Sequence, residues 1–193
     1  MSKLVLIEFL TVDGVMQGLG SPQEDTEGGF TRGGWGAPFA ESIHQVVAPT
    51  GLANTSGYLF GRKTYEKMAA FWPFQPDSNP MAAHLNAAPK YVASRTLHEV
   101  AWAGTAILSS DLGAAARELK RTGNGDIAVL GSGDLCRQLL ADSLVDELRL
   151  FIHPLLLGAG KRLFGELPMP KNLELKSVAQ TSLGTVAVIY GVQ

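Results

Sequence analysis

Cysteine is nearly missing from this sequence: there is one, Cys136, in 193 residues. A lone thiol closes no internal disulfide, so the chain is expected to work in a reducing compartment, the cytoplasm. It forms no thiolate cluster either, and His44, His84, His98 and His153 show no metal-ligand spacing, so no metal site is expected. Charge is also scarce. Charged residues make up 18% of the chain, below the roughly 25% of an average soluble protein, which implies extensive burial. Neither sign dominates, since sixteen basic and eighteen acidic residues leave a formal charge of −2. That balance argues against nucleic acid as a partner, and no block of like charge marks a tail. No apolar run reaches the roughly 18 residues of a membrane span, so no membrane contact is expected. The first residues resemble a signal peptide only briefly, because Glu8 interrupts the apolar run and no small-residue cleavage site follows closely.

What is present is 46% hydrophobic residue, which excludes a disordered chain. The length suits one domain, here 1–193. Leu4 to Val12 is apolar nearly throughout, as in a strand covered on both faces. Gly14 to Gly36 holds eight glycines with little periodicity and reads as a long loop, either a lid beside a site or a floppy excursion. Pro38 can open a helix carrying Phe39, Ile43, Val46 and Val47. Strands are expected at Tyr58–Phe60, Lys90–Ser94, Thr105–Ser109, Asp126–Leu130 and around Leu148–His153, and helices after Gly61, Ser110 or Asp111, and Gly133. Phe71 to Pro89, rich in proline and aromatics, reads as irregular. Leu173–Val178 and Val186–Val192, separated by Ser182-Leu183-Gly184, predict a closing hairpin. Strands alternating with helices and ending in a hairpin predict an α/β fold, its sheet largely parallel with antiparallel strands added last. In such sheets ligands bind beyond the carboxyl ends of the strands.

Three of those ends suit a phosphorylated ligand. Gly61 permits a tight turn, Thr64 and the first helical amides can donate to phosphate, and Arg62 and Lys63 add charge. A solvated basic helix start would look the same. Ser94, Arg95 and Thr96 set two hydroxyls around a guanidinium, a grip for a phosphate monoester such as the 2′-phosphate of NADP, or a plain polar loop. Gly131, Ser132, Gly133, Asp134 and Leu135 lead a strand into a helix, where backbone amides lack partners and a pyrophosphate can approach. Cys136 stands where a third glycine would complete the dinucleotide fingerprint. Gly158-Ala159-Gly160-Lys161-Arg162 is no P-loop, since Arg162 replaces the magnesium-binding hydroxyl. Three such ends in one chain favour an extended nucleotide.

Taken in order, Thr11-Val12-Asp13-Gly14, Phe60-Gly61-Arg62-Lys63-Thr64-Tyr65-Glu66, Lys90 through Leu97, Gly131-Ser132-Gly133 and Leu144 through Lys161 resemble the dihydrofolate-reductase-like family that includes the C-terminal reductase domain of bacterial riboflavin biosynthesis, RibD. The resemblance spans about residues 3 to 192. It implies a three-layer α/β/α reductase that binds NADPH and passes hydride to a pyrimidine- or pteridine-like substrate, with 5-amino-6-(5-phosphoribosylamino)uracil among the candidates. It puts the cofactor phosphates at Gly61 to Thr64 and Gly131 to Leu135, and the 2′-phosphate at Ser94, Arg95 and Thr96. Val12 and Asp13 would border the nicotinamide beside a mobile loop, 14–36. Asp13 is the candidate for orienting substrate or relaying a proton, against the plainer role of a turn residue before Gly14. Glu8 is a weaker candidate, and Phe39 and Trp72 are expected to line the substrate pocket or to be core. Members of this family are often homodimers, and the strand Leu148–Ile152 or the terminal hairpin would supply the contact. The alternative reading is a non-catalytic NADP(H)-binding sensor.

Overall fold

A computed structural model of the chain describes residues 1–47, 54–108 and 111–193. The backbone forms two compact units, Met1–Leu6 with Leu52–Asp146, and Ile7–Gly51 with Glu147–Gln193. The expected end of a strand at Ser109 and the alternative cap at Ser110 lie outside the described residues.

The first unit is a parallel βα layer. Its strands are the start of β1 (Leu4–Thr11), β2 (Thr55–Gly61), β3 (Lys90–Ala93), β4 (Thr105–Leu108) and β5 (Asp126–Val129), in the order β4-β3-β2-β5-β1. Leu4, Val5 and Leu6 register against Ile127, Ala128 and Val129, and β2 pairs in parallel with both β3 and β5. β5, the start of β1 and most of β2 are buried without alternation, as strands covered on both faces must be, whereas β3 alternates and the edge strand β4 is partly exposed. Helices α2 (Arg62–Phe71), α3 (Pro80–Ala87), α4 (Leu112–Thr122) and α5 (Gly133–Ala141) follow strand ends or join them. Helix α4 starts and stops as the sequence predicts: the Asp111 side chain accepts from the Ala114 amide at 3.1 Å, and Gly123 closes it. Cys136 is buried on α5 among Leu135, Leu139 and Leu140.

The segment 71–89 is not irregular. It holds a 3-10 turn at Trp72–Phe74 and then α3. Asn79 caps that helix, accepting from the amides of Met81 at 3.0 Å and Ala82 at 3.3 Å, and Pro80 takes the first helical position, where no amide hydrogen is needed. The Asn-Pro pair is therefore a helix start, which its aromatic and proline-rich surroundings disguise. The other end of α3 is closed by a buried cation. Lys90 Nζ donates to the carbonyls of Leu85 (2.8 Å), Asn86 (3.2 Å) and Ala88 (2.7 Å), and lies 4.9 Å from the Trp102 ring centroid. Burial pushes its pKa below the ordinary lysine value.

The second unit holds the rest of β1, α1 (Ala40–Val47), β6 (Glu147–His153), β7 (Leu173–Gln180) and β8 (Val186–Val192), in the order β1-β6-β8-β7. Strands β6, β8 and β7 are antiparallel neighbours, and Gly184 takes a positive φ in the turn between the last two. Helix α1 lays Ile43, Val46 and Val47 against Ile7, Phe9, Phe151 and Ala187. The segment 14–36 packs on residues after β6. Val15, Phe30 and Trp35 are buried in one cluster with Leu157. The buried Gln17 side chain donates to the carbonyls of Asp25 (3.2 Å) and Glu27 (3.0 Å), and accepts from the Lys161 amide at 2.9 Å. Gly160 permits this packing, because a Cβ there would fall 2.7 Å from Val15 and 2.8 Å from Phe30. Among the described residues, no helix is long and apolar enough to cross a membrane.

Replacing Lys90 by Met keeps the stem but leaves three α3-end carbonyls without their donor. A loss of about 2–4 kcal/mol is expected, read as a lower urea midpoint at unchanged slope.

Candidate functional site

The carboxyl ends of β2, β3, β4 and β5 open on one groove in the first unit. Its volume is about 360 Å³, and its walls are Gly61 and Arg62, Ala93 to Arg95, Leu108, Asp111 and Leu112, and Ser132, Asp134, Leu135 and Gln138. The three strand ends singled out in the sequence therefore meet. Lys63, Thr64, Thr96, Gly131 and Gly133 are neighbours in sequence but not part of that wall. Leu108, Asp111, Leu112 and Gln138 are wall residues that the sequence reading passed over. Asp111 reads only as a helix cap, yet that cap follows β4 and so falls on the same edge. Gln138 lies one helical turn beyond Asp134.

What joins the walls is a close approach of backbones. The Gly61 amide donates to the Gly131 carbonyl at 3.0 Å. A Cβ on Gly61 would collide with the Ser132 hydroxyl and come within 3.1 Å of the Ser132 amide and 3.2 Å of its Cβ. Gly131 has a positive φ, and the Gly131–Ser132 peptide is cis. Helices α2 and α5 both start at this junction, with Gly61 and Ser132 as N-cap residues, and neither cap side chain bonds an amide. Each helix start carries partial positive charge.

The charged side chains around the groove differ in what already occupies them. Arg62 is held by Glu66 at 2.8 and 3.0 Å. Asp134 is paired with Arg137. Arg95 is exposed, and among the described residues it has no hydrogen-bonding or ionic partner. The Ser94 hydroxyl accepts from the amides of Thr96 (3.2 Å) and Leu97 (2.9 Å), so it shapes the loop behind Arg95 and keeps only its own proton to offer.

Asp13 belongs to the second unit and has a different task. Its carboxylate accepts from the Thr11 hydroxyl (2.6 Å) and the amides of Leu157 (3.2 Å) and Gly158 (2.7 Å). Its carbonyl accepts from Arg162 Nε at 2.8 Å. The Thr11 hydroxyl, followed by the backbone amides, lowers its pKa to about 2. The carboxylate is held as the anion, and Asp13 ties the turn after β1 to the segment after β6. Val12 is exposed beside it, and Glu8 is buried on β1. Phe39 packs edge-on against the buried His153, ring centroids 4.8 Å apart, and Phe9 and Trp35 flank the same imidazole. Burial pushes the His153 pKa down. Trp72, half-buried in the first unit, donates to Met68 Sδ and stacks edge-on with Phe71 at 5.2 Å.

The family model for the RibD C-terminal domain matches residues 2–187. The chain belongs to that family. An uncharacterized protein of Bacillus subtilis (strain 168), YyaP, is 28% identical over 196 residues, covering 97% of this chain and 94% of the relative. Among solved structures, a putative riboflavin biosynthesis protein from Shewanella sp. PV-4 matches with a TM-score of 0.69 at 18% identity, covering 100% of this chain and 99% of that one. A pyrimidine reductase-like protein from Corynebacterium diphtheriae matches with a TM-score of 0.62 at 15% identity, covering 100% and 92%. Dihydrofolate reductase from Enterococcus faecalis, complexed with NADP(H) and RAB-propyl, matches with a TM-score of 0.60 at 15% identity, covering 99% and 96%. The RibD-type chain thus has the dihydrofolate-reductase-like fold, mostly parallel with its antiparallel hairpin at the end.

Two tests follow from this geometry. Gly61→Ala forces the Ser132 turn away from β2, and about 1–3 kcal/mol of stability should be lost together with most nucleotide affinity, measured by calorimetric titration beside thermal unfolding. For Asp13, a folded pKa of about 2 against the ordinary 3.8 contributes stability that is complete above 3.8 and lost as pH falls toward 2. Asp13→Asn should lower the urea midpoint near neutrality and flatten its pH dependence within that window.

Proposed function

We propose that this chain is an NADPH-dependent reductase acting on a small planar heterocycle of the pyrimidine or pteridine class, the reductase substrate of riboflavin biosynthesis being the leading candidate. The observation that carries the reading is the junction at Gly61 and Ser132, where two helix starts without side-chain caps share a groove with Arg95, which has no partner among the described residues. That donor set fits a dinucleotide phosphate. Backbone amides at helix starts bind phosphate oxygens without requiring side chains. Arg95 offers a planar fork to a phosphate monoester, which NADPH has and NADH lacks. The family and its NADP(H)-complexed structural relative support the same cofactor.

When bound, the reduced nicotinamide supplies the hydride. The chain's part is to anchor the phosphates, fix the distance between donor and acceptor carbons, and exclude water. Asp13, held as an anion by its own turn, orients the backbone after β1.

The second reading is a protein that binds NADP(H) without turning it over. The two are separated by incubating the chain with NADPH and a panel of aminopyrimidines and pteridines. Loss of reduced-nicotinamide absorbance with any member supports the reductase. Tight binding with no oxidation across the panel supports the sensor.

Arg95→Ala removes one charge-assisted contact, about 1.5–3 kcal/mol. NADPH affinity should fall roughly 10- to 100-fold while NADH affinity stays the same, read by nicotinamide fluorescence titration. Equal losses for both cofactors would exclude Arg95 from the 2′-phosphate.

A further inference from the structure

We propose, resting on the NADPH reading above, that Asp134 weakens the groove's hold on the phosphates common to NADPH and NADH, and that Arg137 sets by how much. Asp134 directly follows Gly133, the first residue of α5, and it lines the groove beside Ser132 and Leu135. An acid in the first turn suits the helix, because a helix start is partly positive. It does not suit a bound phosphate, because two anions at one helix start repel. A strand end whose glycines let backbone approach a pyrophosphate therefore also carries a charge that opposes it.

The helix does not consume that charge through a cap, since the start of α5 has no side-chain cap. Asp134 reaches one turn forward instead and pairs with Arg137. The two partners differ in position. Asp134 is a wall residue with its side chain 81% exposed, whereas Arg137 lies outside the wall with its side chain 34% exposed. The pair thus presents its negative end to the groove. An anion there meets less repulsion than from a bare carboxylate, and more than from no charge at all. Surface pairs of this kind are weak, so Arg137 tempers the acid without cancelling it.

The other charges of the wall separate two tasks. Arg62 and Arg95 border the groove together with Asp111 and Asp134. Asp111 accepts from the Ala114 amide at 3.1 Å, and Arg62 is held by Glu66 at 2.8 Å. Arg95 is the group matched to a phosphate monoester, which NADPH has and NADH lacks. Asp134 stands at the helix start matched to the pyrophosphate, which both have. Arg95 therefore selects the cofactor, and Asp134 limits how long either cofactor stays. Release of product sets the turnover rate of many enzymes, and a chain that must discharge its spent cofactor each cycle gains from such a limit.

Nicotinamide fluorescence titrations of the wild type, Asp134→Asn, Arg137→Gln and the double variant test this as a cycle. Asp134→Asn should tighten NADPH and NADH alike, about 3- to 10-fold, and slow NADPH dissociation in stopped flow by a similar factor. Arg137→Gln, which uncovers the acid, should weaken both about 2- to 5-fold. In the Asp134→Asn background the same arginine change should have no effect, because Arg137 acts through the carboxylate. Added salt should shrink every difference. Asp134→Ser, a residue suited to a helix start, serves if Asp134→Asn does not fold. Unchanged or weaker binding by the Asp134 variants, or an Arg137→Gln loss that persists without the acid, overturns the proposal. A wild-type chain that binds neither cofactor removes the NADPH reading itself. Calorimetric titration with inorganic pyrophosphate then reads the groove alone: tighter binding by Asp134→Asn upholds the role of Asp134, and no difference or no binding overturns it.

Discussion

The groove depends on one steric fact, the missing Cβ of Gly61. The end of β2 and the turn after β5 approach until the Gly61 amide reaches the Gly131 carbonyl at 3.0 Å, and any side chain there would occupy the place of Ser132. Because the strands are parallel, both helices that follow start from the same edge of the sheet. The approach brings those starts together, and the partial positive ends of α2 and α5 add in one place. The walls from β3 and β4 then need supply only shape and one charge.

The electrostatics of the wall follow from how strongly each ion is already committed. The Arg62–Glu66 pair is an exposed i,i+4 contact, a class that contributes about 0.3–0.5 kcal/mol. An incoming phosphate can draw Arg62 away from Glu66 at small cost. Asp134 favours the start of α5 through the helix dipole, yet opposes an anion at the same amides. Its pairing with Arg137 reduces that opposition. Arg95 has neither restraint among the described residues, and the Ser94 hydroxyl fixes the loop that presents it. On the proposed function, discrimination between phosphorylated and unphosphorylated ligands would rest on the β3 end, and affinity for the shared phosphates on the two helix starts.

The sequence makes the parallel strands and their order of use legible because their apolar runs are short, unbroken and followed by glycine or hydroxyl turns. Helix α4 is legible from Asp111, its apolar stripe and Gly123. Helix α3 is not, because half of its signal lies in Asn79-Pro80 and half in Lys90, ten residues downstream of the helix start, whose ammonium closes the other end. No local pattern announces a cap supplied by the following strand. The Gly14–Gly36 segment misleads for a related reason. Its glycines suggest freedom, but several of them make room for Phe30, Pro22 and Leu19 to pack, and Gln17, a polar residue that composition marks as surface, ties the segment together from inside. In β7 the strict alternation of Leu173-Glu174-Leu175-Lys176 predicts one apolar face. The shift at Lys176 extends that face to Val178, three residues on, which pairing shows and spacing does not.

Asp13 shows how one motif supports two chemical readings that only geometry separates. An acid beside a glycine after the first strand has the composition of a catalytic carboxyl and of a turn. General acid work at neutral pH needs a raised pKa, which comes from burial without donors. Asp13 has the reverse: a hydroxyl and two amides donate to its oxygens, and Arg162 stands 3.7 Å away. Each donor stabilises the anion, and together they fix residues 11 to 15 against the segment 157–162. The charge is thus spent on holding backbone.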